Sequence, residues 1–474
     1  MFNSDVYKAR RQKLMSSLKD GLVLIPGNIE LPFNYKSNTF PFRQDSTFLY
    51  YIGLDEPNLF AVLDCNSGNE YLFGNDLTMD DIIWTGSLPS TSEKAAMAGI
   101  SNAKNTNELS AFVKNHTGKK HFIKPYIGNI AILIADLLGV KTSQLEELQS
   151  IDFIRAASEM RKIKEAVEIE EIEKSVNLTC DLHNFVMKWA GNAEEYYTER
   201  DVVGEIYKIA AGKGYFTSFP PIVTIHGEIQ HNHSYNENLK KGRLLLVDAG
   251  AETSSHYAGD MTRTIPLGGK FSKRQKDIYD IVVKANWGIV DSAKPGVLWT
   301  ELHNRAARII TSGLKDLGLM KGDTDDIVTC GAYALFFPHG LGHMIGLDVH
   351  DMENYGEDLI GYDESHKRSE MFGPNCLRYG LELRENMVMS DEPGIYFIPQ
   401  LIDMWQQQGK FKDFIDYDRV KKYKDFGGVR LEDDILITAN GSRVLGKGVA
   451  KNSKDVELYI APEDDKKIDK KGKK

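Results

Sequence analysis

The hydrophobic positions of the chain change period at one place, and the change divides it. Over residues 1–155 short apolar runs alternate with a helical pattern: residues 21–26 (GLVLIP), 61–64 and 121–123 read as strands, and 130–138 as a helix. Such alternation predicts a small α/β domain. Within it, the aromatic density of FRQDSTFLYYIG, residues 42–53, predicts core or interface packing. From about residue 160 the texture becomes helical, with Ile169, Ile172, Val176, Cys180 and Met187 recurring at helical spacing and Glu and Lys between them. A long amphipathic helix therefore opens a second domain, with a boundary between residues 150 and 160. Another helix is predicted after Asp277, where Ile278, Ile281, Val282, Ala285 and Ile289 share a face ahead of Pro295-Gly296, and a third over residues 302–317.

Between these helices the strand-like stretches carry acids. In LLLVDAGAETSSHYAGDMTRT, residues 244–264, Asp248 closes an apolar run and Asp260 opens a β-prone one. The pair is predicted to occupy facing positions on two strands joined by a loop. An acid at the end of a buried strand is costly unless a positive charge meets it. Three later stretches also set polar groups in apolar surroundings: PHGLGHMIGLDVHD with His339, His343 and His350, MVMSDEPGIYF with Glu392, and FGGVRLEDDILIT with Arg430 and Glu432. The chain thus offers two pairs of acid-bearing strands. His339 and His343 have the spacing of two zinc ligands on a helix, but Gly340 and Gly342 would each cost a helix about 1 kcal/mol. No Glu follows the first His, so a loop or strand setting is predicted. Taken singly, His339 fits a hydrogen-bonded core residue equally well.

Composition narrows the classes. A chain of 474 residues exceeds one ordinary core. A formal net charge of -10 argues against a nucleic-acid surface. There is no apolar h-region at the start and no apolar run long enough to span a bilayer, so no membrane role is expected and a cytoplasmic location is the default. Four cysteines without a CxxC pair read as reduced buried thiols. The lysine-rich end, 463–474, reads as a disordered solvated tail. Four carboxylates and one imidazole form a hard, oxygen-rich donor set that suits Mn better than a thiolate zinc site. Two divalent ions would balance the charge, and two metals about 3.5–4 Å apart are equipment for hydrolysing an amide or a phosphate ester.

Asp248 in LVDAG, Asp260 in AGDMTRT, His343 in HGLGH, Glu392 in DEPGIYF and Glu432 in GGVRLEDD, in this order, resemble the proline-directed branch of the pita-bread metallopeptidases, which contains aminopeptidase P and prolidase. FRQDSTFLYYIG resembles a segment that these enzymes carry and methionine aminopeptidases lack. The resemblance implies an amino-terminal domain over 1–155 and an α+β pita-bread catalytic domain over 156–462, with a pseudo-twofold antiparallel sheet cupped by helices. It implies that Asp248 holds one metal, that Asp260 and Glu432 bridge two, and that His343 and Glu392 complete the second site, with Glu392 also handling a proton in catalysis. His231, or its rival His233, would lie near the substrate; His339 and His350 would stabilise an oxyanion or bind the substrate end; Arg430 would line the same pocket.

The activity implied is removal of an N-terminal residue from a peptide with proline in second place. The long insertion between Glu392 and Glu432, and Arg378 where prolidases bind a free carboxylate, keep a dipeptide-restricted prolidase as the alternative. A non-catalytic binding protein of this fold and a metal-free hydrolase of the creatinase kind are the remote ones. A homodimer or higher homo-oligomer is also implied.

Overall fold

The computed structural model describes residues 1–462, and the lysine-rich stretch 463–474 lies outside them. The chain forms two compact units, one of Met1–Arg161 with Met352–Ile360, the other of Lys162–Asp351 with the chain from Gly361 onward.

The first unit is built on a five-stranded mixed sheet in the order Asn102–Asn105, Glu70–Gly74, Phe60–Asp64, Leu22–Pro26, Lys120–His121. Leu22, Leu24, Val62 and Phe73 pack with Val113, Ile130 and Ile134 in one core. FRQDSTFLYYIG forms the short helix Ser46–Ile52, buried along most of its length. Asp45 caps its start by accepting from the Phe48 amide at 2.9 Å, and Gly53 ends it in the left-handed region at φ 72°. A Cβ at Gly53 would also lie 2.1 Å from the Tyr7 ring. Arg10 and Arg11, buried on helix Ser4–Leu18, donate to the Tyr50 and Tyr51 carbonyls at 3.0 and 2.9 Å, satisfying acceptors that a helix end leaves free. Tyr355, from the distant segment of this unit, is buried between Thr47 and Arg161, with its hydroxyl 2.9 and 3.0 Å from their polar atoms. No change of pattern in the sequence announces that segment.

In the second unit Leu244–Asp248 lies between Ile222–Thr224 and Thr262–Pro266, and Asp433–Thr438 lies between Val388–Asp391 and Gly441–Val444. Gly394–Tyr396 pairs with Gly428–Arg430, and every one of these pairings is antiparallel. Leu244–Asp248 and Thr262–Pro266 are buried at every position, which is why they read as continuous apolar runs rather than as alternation. The helices lie at Ala166–Ala190, Lys273–Val290 and Trp299–Asp316. The first is separate from the preceding Ile151–Lys162, so the helical texture that begins near residue 160 spans a break.

Two expectations need correction. Asp248 faces Thr262 in the ladder rather than Asp260. Asp260 sits two residues ahead of its strand, in a turn where Ala249 donates to the Met261 carbonyl at 3.1 Å. Its side chain is thereby freed from the pleat. All four cysteines are unpaired, but only Cys180 is buried; Cys376 is exposed, at the end of the one-turn helix Pro374–Cys376. Among the described residues no helix is long and apolar enough to cross a membrane.

Candidate active site

The strand ends of the second unit converge on a cavity of about 610 Å³. All eleven residues singled out from the sequence line it: His231, His233, Asp248, Asp260, His339, His343, His350, Arg378, Glu392, Arg430 and Glu432. Phe219, Pro220, Ile222, Val349 and Ile398 form an apolar wall. The backbone delivers the acids from two directions. Asp248 closes its strand, Glu392 follows Val388–Asp391 directly, and Glu432 lies between Gly428–Arg430 and Asp433–Thr438. Glu432 is tied across to the first pair, its amide donating to the Thr262 carbonyl at 3.1 Å and its carboxylate accepting from the Thr262 hydroxyl at 2.7 Å.

His339 and His343 sit in a loop. The His343 amide donates to Ser390 Oγ at 3.0 Å and the Ser390 amide to the His343 carbonyl at 2.8 Å, so this loop is stitched to the strand before Glu392. Gly342 permits that approach, because a Cβ there would lie 2.0 Å from the Ser390 carbonyl oxygen. His343 Nε2 then stands 3.6 Å from Asp260 Oδ2 and 3.7 Å from Glu392 Oε1. Its ring lies 4.3 Å from that of His350.

The electrostatics are those of a site short of positive charge. Burial, reinforced by neighbouring carboxylates, pushes Asp260 and Glu432 well above the usual carboxylate range. Burial pushes Glu392 up to about 7, with Arg430 opposing and Asp248 reinforcing. His343 is held neutral by burial and by the charge of His350, and a neutral imidazole is the form that ligates metal. Burial, then Arg430, lowers His339 to about 3 and also lowers His231. Arg430 is a cation in direct contact with an acid of the group: its Nη2 donates to Asp248, its Nε to Thr262 at 3.1 Å and its Nη1 to Tyr396 Oη at 3.1 Å. One oxygen each of Asp248 and Asp260 is buried with no hydrogen-bond partner. Ligand atoms of Asp260, His343 and Glu432 all lie within 4.8 Å of one another. Crowded carboxylates with orphaned oxygens and a neutral imidazole fit divalent cations, whose charge would reverse the direction of these shifts.

Four supporting groups carry no distinguishing mark in the sequence. Tyr396 Oη joins Arg430 to His339, 2.9 Å from His339 Nε2. Thr262 joins Glu432 to Arg430, Ser390 carries the His343 loop, and Asp434 accepts from the Asp260 amide at 2.8 Å. All four stand within the quoted motifs, but nothing in a β-prone run marks one tyrosine or threonine as special. Behind the site, Asp433 accepts from Arg263 at 2.6 Å and from Lys451 at 2.6 Å. Burial alone would raise Asp433, but the two cations outweigh it and hold the acid below its ordinary range.

Comparison with known proteins agrees with this geometry. The model of metallopeptidase family M24 matches residues 170–439, and that of the aminopeptidase P N-terminal domain residues 7–123. A probable Xaa-Pro aminopeptidase of Fusarium vanettenii is 34% identical over 406 residues, covering 85% of this chain and 84% of that protein. Another from Verticillium alfalfae is 31% identical over 427 residues, covering 89% and 88%. Among solved structures, a variant of Escherichia coli aminopeptidase P in complex with substrate superposes with a TM-score of 0.80 at 27% identity, covering 97% of this chain and 98% of that one. Pseudomonas aeruginosa aminopeptidase PepP gives 0.79 at 25%, with the same coverage.

Proposed function

This chain belongs to metallopeptidase family M24, and from that membership we propose that it is an Xaa-Pro aminopeptidase, releasing the N-terminal residue of peptides with proline in second place. The observation that carries the reading is the meeting of eleven residues from well-separated stretches around one cavity, with Asp260, His343 and Glu432 at ligand distance from one another.

Asp248, Asp260, His343, Glu392 and Glu432 would hold two divalent ions, and the hard donor set favours Mn. When bound, such ions supply Lewis acidity toward the scissile carbonyl and a water acidic enough to attack at neutral pH. The protein's own groups do the rest. Glu392, 3.9 Å from His339 and 3.7 Å from His343, is placed to take the proton of the attacking water and deliver it to the departing proline nitrogen. His339, whose ring nitrogens are taken by the Gly340 carbonyl and Tyr396 Oη, lines the substrate end, and His350, standing against His343, offers a donor to the oxyanion that develops on the carbonyl. His231 is favoured over His233 as the substrate neighbour, since it feels the charges of Arg430, Asp248 and His350 while His233 Nδ1 is 3.0 Å from Tyr235 Oη. The apolar wall receives the proline ring and the residue before it and keeps bulk water out.

Restriction to dipeptides is the second reading, favoured by Arg378 in the cavity lining. The names of the relatives favour the first. The resemblance supports a homo-oligomer, and the composition a cytoplasmic location. Xaa-Pro-Xaa tripeptides and Xaa-Pro dipeptides, each assayed with Mn, with Zn and after chelation, test the whole reading. Hydrolysis of the tripeptide that chelation abolishes and Mn restores best is the expected result; full activity after chelation would overturn it, and cleavage of the dipeptide alone would make this a prolidase.

A further inference from the structure

Residues 249–259, which join Asp248 to Asp260, are held from behind by side chains that the catalytic reading does not use. Glu171, Ser175, Thr179 and His183 recur every four residues along helix Ala166–Ala190, a spacing that stacks them on one side of the helix. Ser175, Thr179 and His183 are buried. Each of the four reaches the joining segment. His183 Nε2 donates to the Ala249 carbonyl at 2.9 Å, and Thr179 Oγ1 accepts from the Ala251 amide at 3.0 Å. Ser175 donates to the Tyr257 carbonyl, and Glu171 accepts from the Ser255 hydroxyl.

The fit leaves no slack. A Cβ at Gly259 would lie 2.9 Å from Thr179 Oγ1 and 3.0 Å from the Val176 amide, and one at Gly250 would lie 1.9 Å from the Gly259 carbonyl oxygen. Ala249 and Met261, joined by a backbone hydrogen bond of 3.1 Å, immediately follow Asp248 and Asp260. A shift of Ala249 therefore moves both acids. Apolar side chains would fill a buried helix face at lower desolvation cost, and polar ones are tolerated only when every group finds a partner. Here each of the four finds a partner in the one segment that spaces the two aspartates.

We propose that this polar stripe is a positioning device: Thr179 and His183 set the separation of Asp248 and Asp260, and through it the affinity of the site for its cations. The inference rests on reading the two aspartates as metal ligands. Groups that orient metal ligands without touching the metal typically govern about 10–100-fold of metal affinity.

The test titrates chelated, full-length protein with Mn by calorimetry and follows its Tm. Thr179→Val, which keeps the shape and removes the acceptor, should weaken Mn binding about tenfold, and Thr179→Ser should restore it to within about twofold. His183→Leu should weaken it to a similar extent. Val186→Ala, an apolar lesion on the same helix that breaks none of these hydrogen bonds, should lower Tm and leave Mn affinity unchanged. If His183→Leu does not fold, the Thr179 pair decides alone. Thr179→Val that lowers Tm without altering affinity, or Thr179→Ser that fails to restore it, overturns the proposal while leaving the metal site standing. A wild-type protein that takes up no Mn overturns both.

Discussion

Arg430 and Asp248 form an ion pair in the floor of the cavity, the side chains only 4% and 11% exposed. Arg430 also donates to Thr262 and Tyr396, so one guanidinium braces an acid of the first strand pair, a hydroxyl that holds Glu432, and the tyrosine that orients His339. Lysine, whose three donors sit on one compact ammonium, offers no planar fork to span these three partners. Arg430→Lys should therefore lower kcat/KM on an Xaa-Pro-Xaa tripeptide about a hundredfold, near the effect of losing one preorganised donor in an active site. A loss under about threefold would refute the bracing role.

Asp391 and Asp433 are cross-strand neighbours with opposite fates. Asp433 meets two cations, whereas both oxygens of Asp391 are buried with no hydrogen-bond partner, and burial pushes its carboxyl well above the ordinary range. Removing the charge of Asp433 strands Arg263 and Lys451, so Asp433→Asn should cost about 3–5 kcal/mol. Asp391→Asn replaces a group already inclined to be neutral and should change stability by less than about 1 kcal/mol. Denaturant unfolding compares them; equal losses would contradict the assignment.

The raised carboxyls set a pH dependence for the metal-free protein. Glu392 binds its proton up to about 7 when folded but only to about 4.5 when unfolded, and Asp260 and Glu432 shift in the same direction. At these carboxyls the folded state therefore holds more protons, and their contribution is complete below the unfolded value and lost as pH rises through the folded one, whereas the cavity histidines with lowered values act in the opposite direction. The carboxyl contribution is isolated by Glu392→Gln: in chelated protein, the Tm of the wild type relative to this variant should be higher at pH 5 than at pH 8. Divalent cations compete with those protons, so Mn affinity should rise over the same interval, with protons released on binding. A Tm difference between wild type and Glu392→Gln that does not change with pH, or that favours the wild type at pH 8, would count against this account.

Arg378 lines the cavity with a charge that suits a carboxylate. Arg378→Met should raise KM about tenfold for short peptides, whose C-terminus lies near the scissile bond, and much less for peptides of six or more residues. An equal rise for both lengths would show that it binds something other than the terminal carboxylate.

The four acids and one imidazole of the proposed metal site are legible in the sequence because charge inside apolar runs is costly and therefore conspicuous. Tyr396 and Thr262 are not, since aromatic and β-branched residues are what a buried strand carries anyway. The Ala166–Ala190 helix announces itself through Ile172, Val176 and Met187, but Glu, Ser, Thr and His at a spacing of four read as a solvent face until their partners are seen. For FRQDSTFLYYIG the burial was foreseeable and the helix was not: the run of Phe, Tyr and Ile suits a strand, and Asp45 and Gly53 as caps decide otherwise. Register is the other blind spot, as Asp248 opposite Thr262 shows, because a turn of unknown geometry can displace an acid by two places.

Tyr355 carries a consequence for biosynthesis. Its hydroxyl serves Thr47 and Arg161, yet roughly 190 residues separate it from Arg161, and a ribosome adding about 5–20 residues per second takes about 10–40 seconds to make them. Through that interval the emerging amino-terminal unit lacks one of its own buried side chains, so its last packing step must wait until most of the chain has been translated.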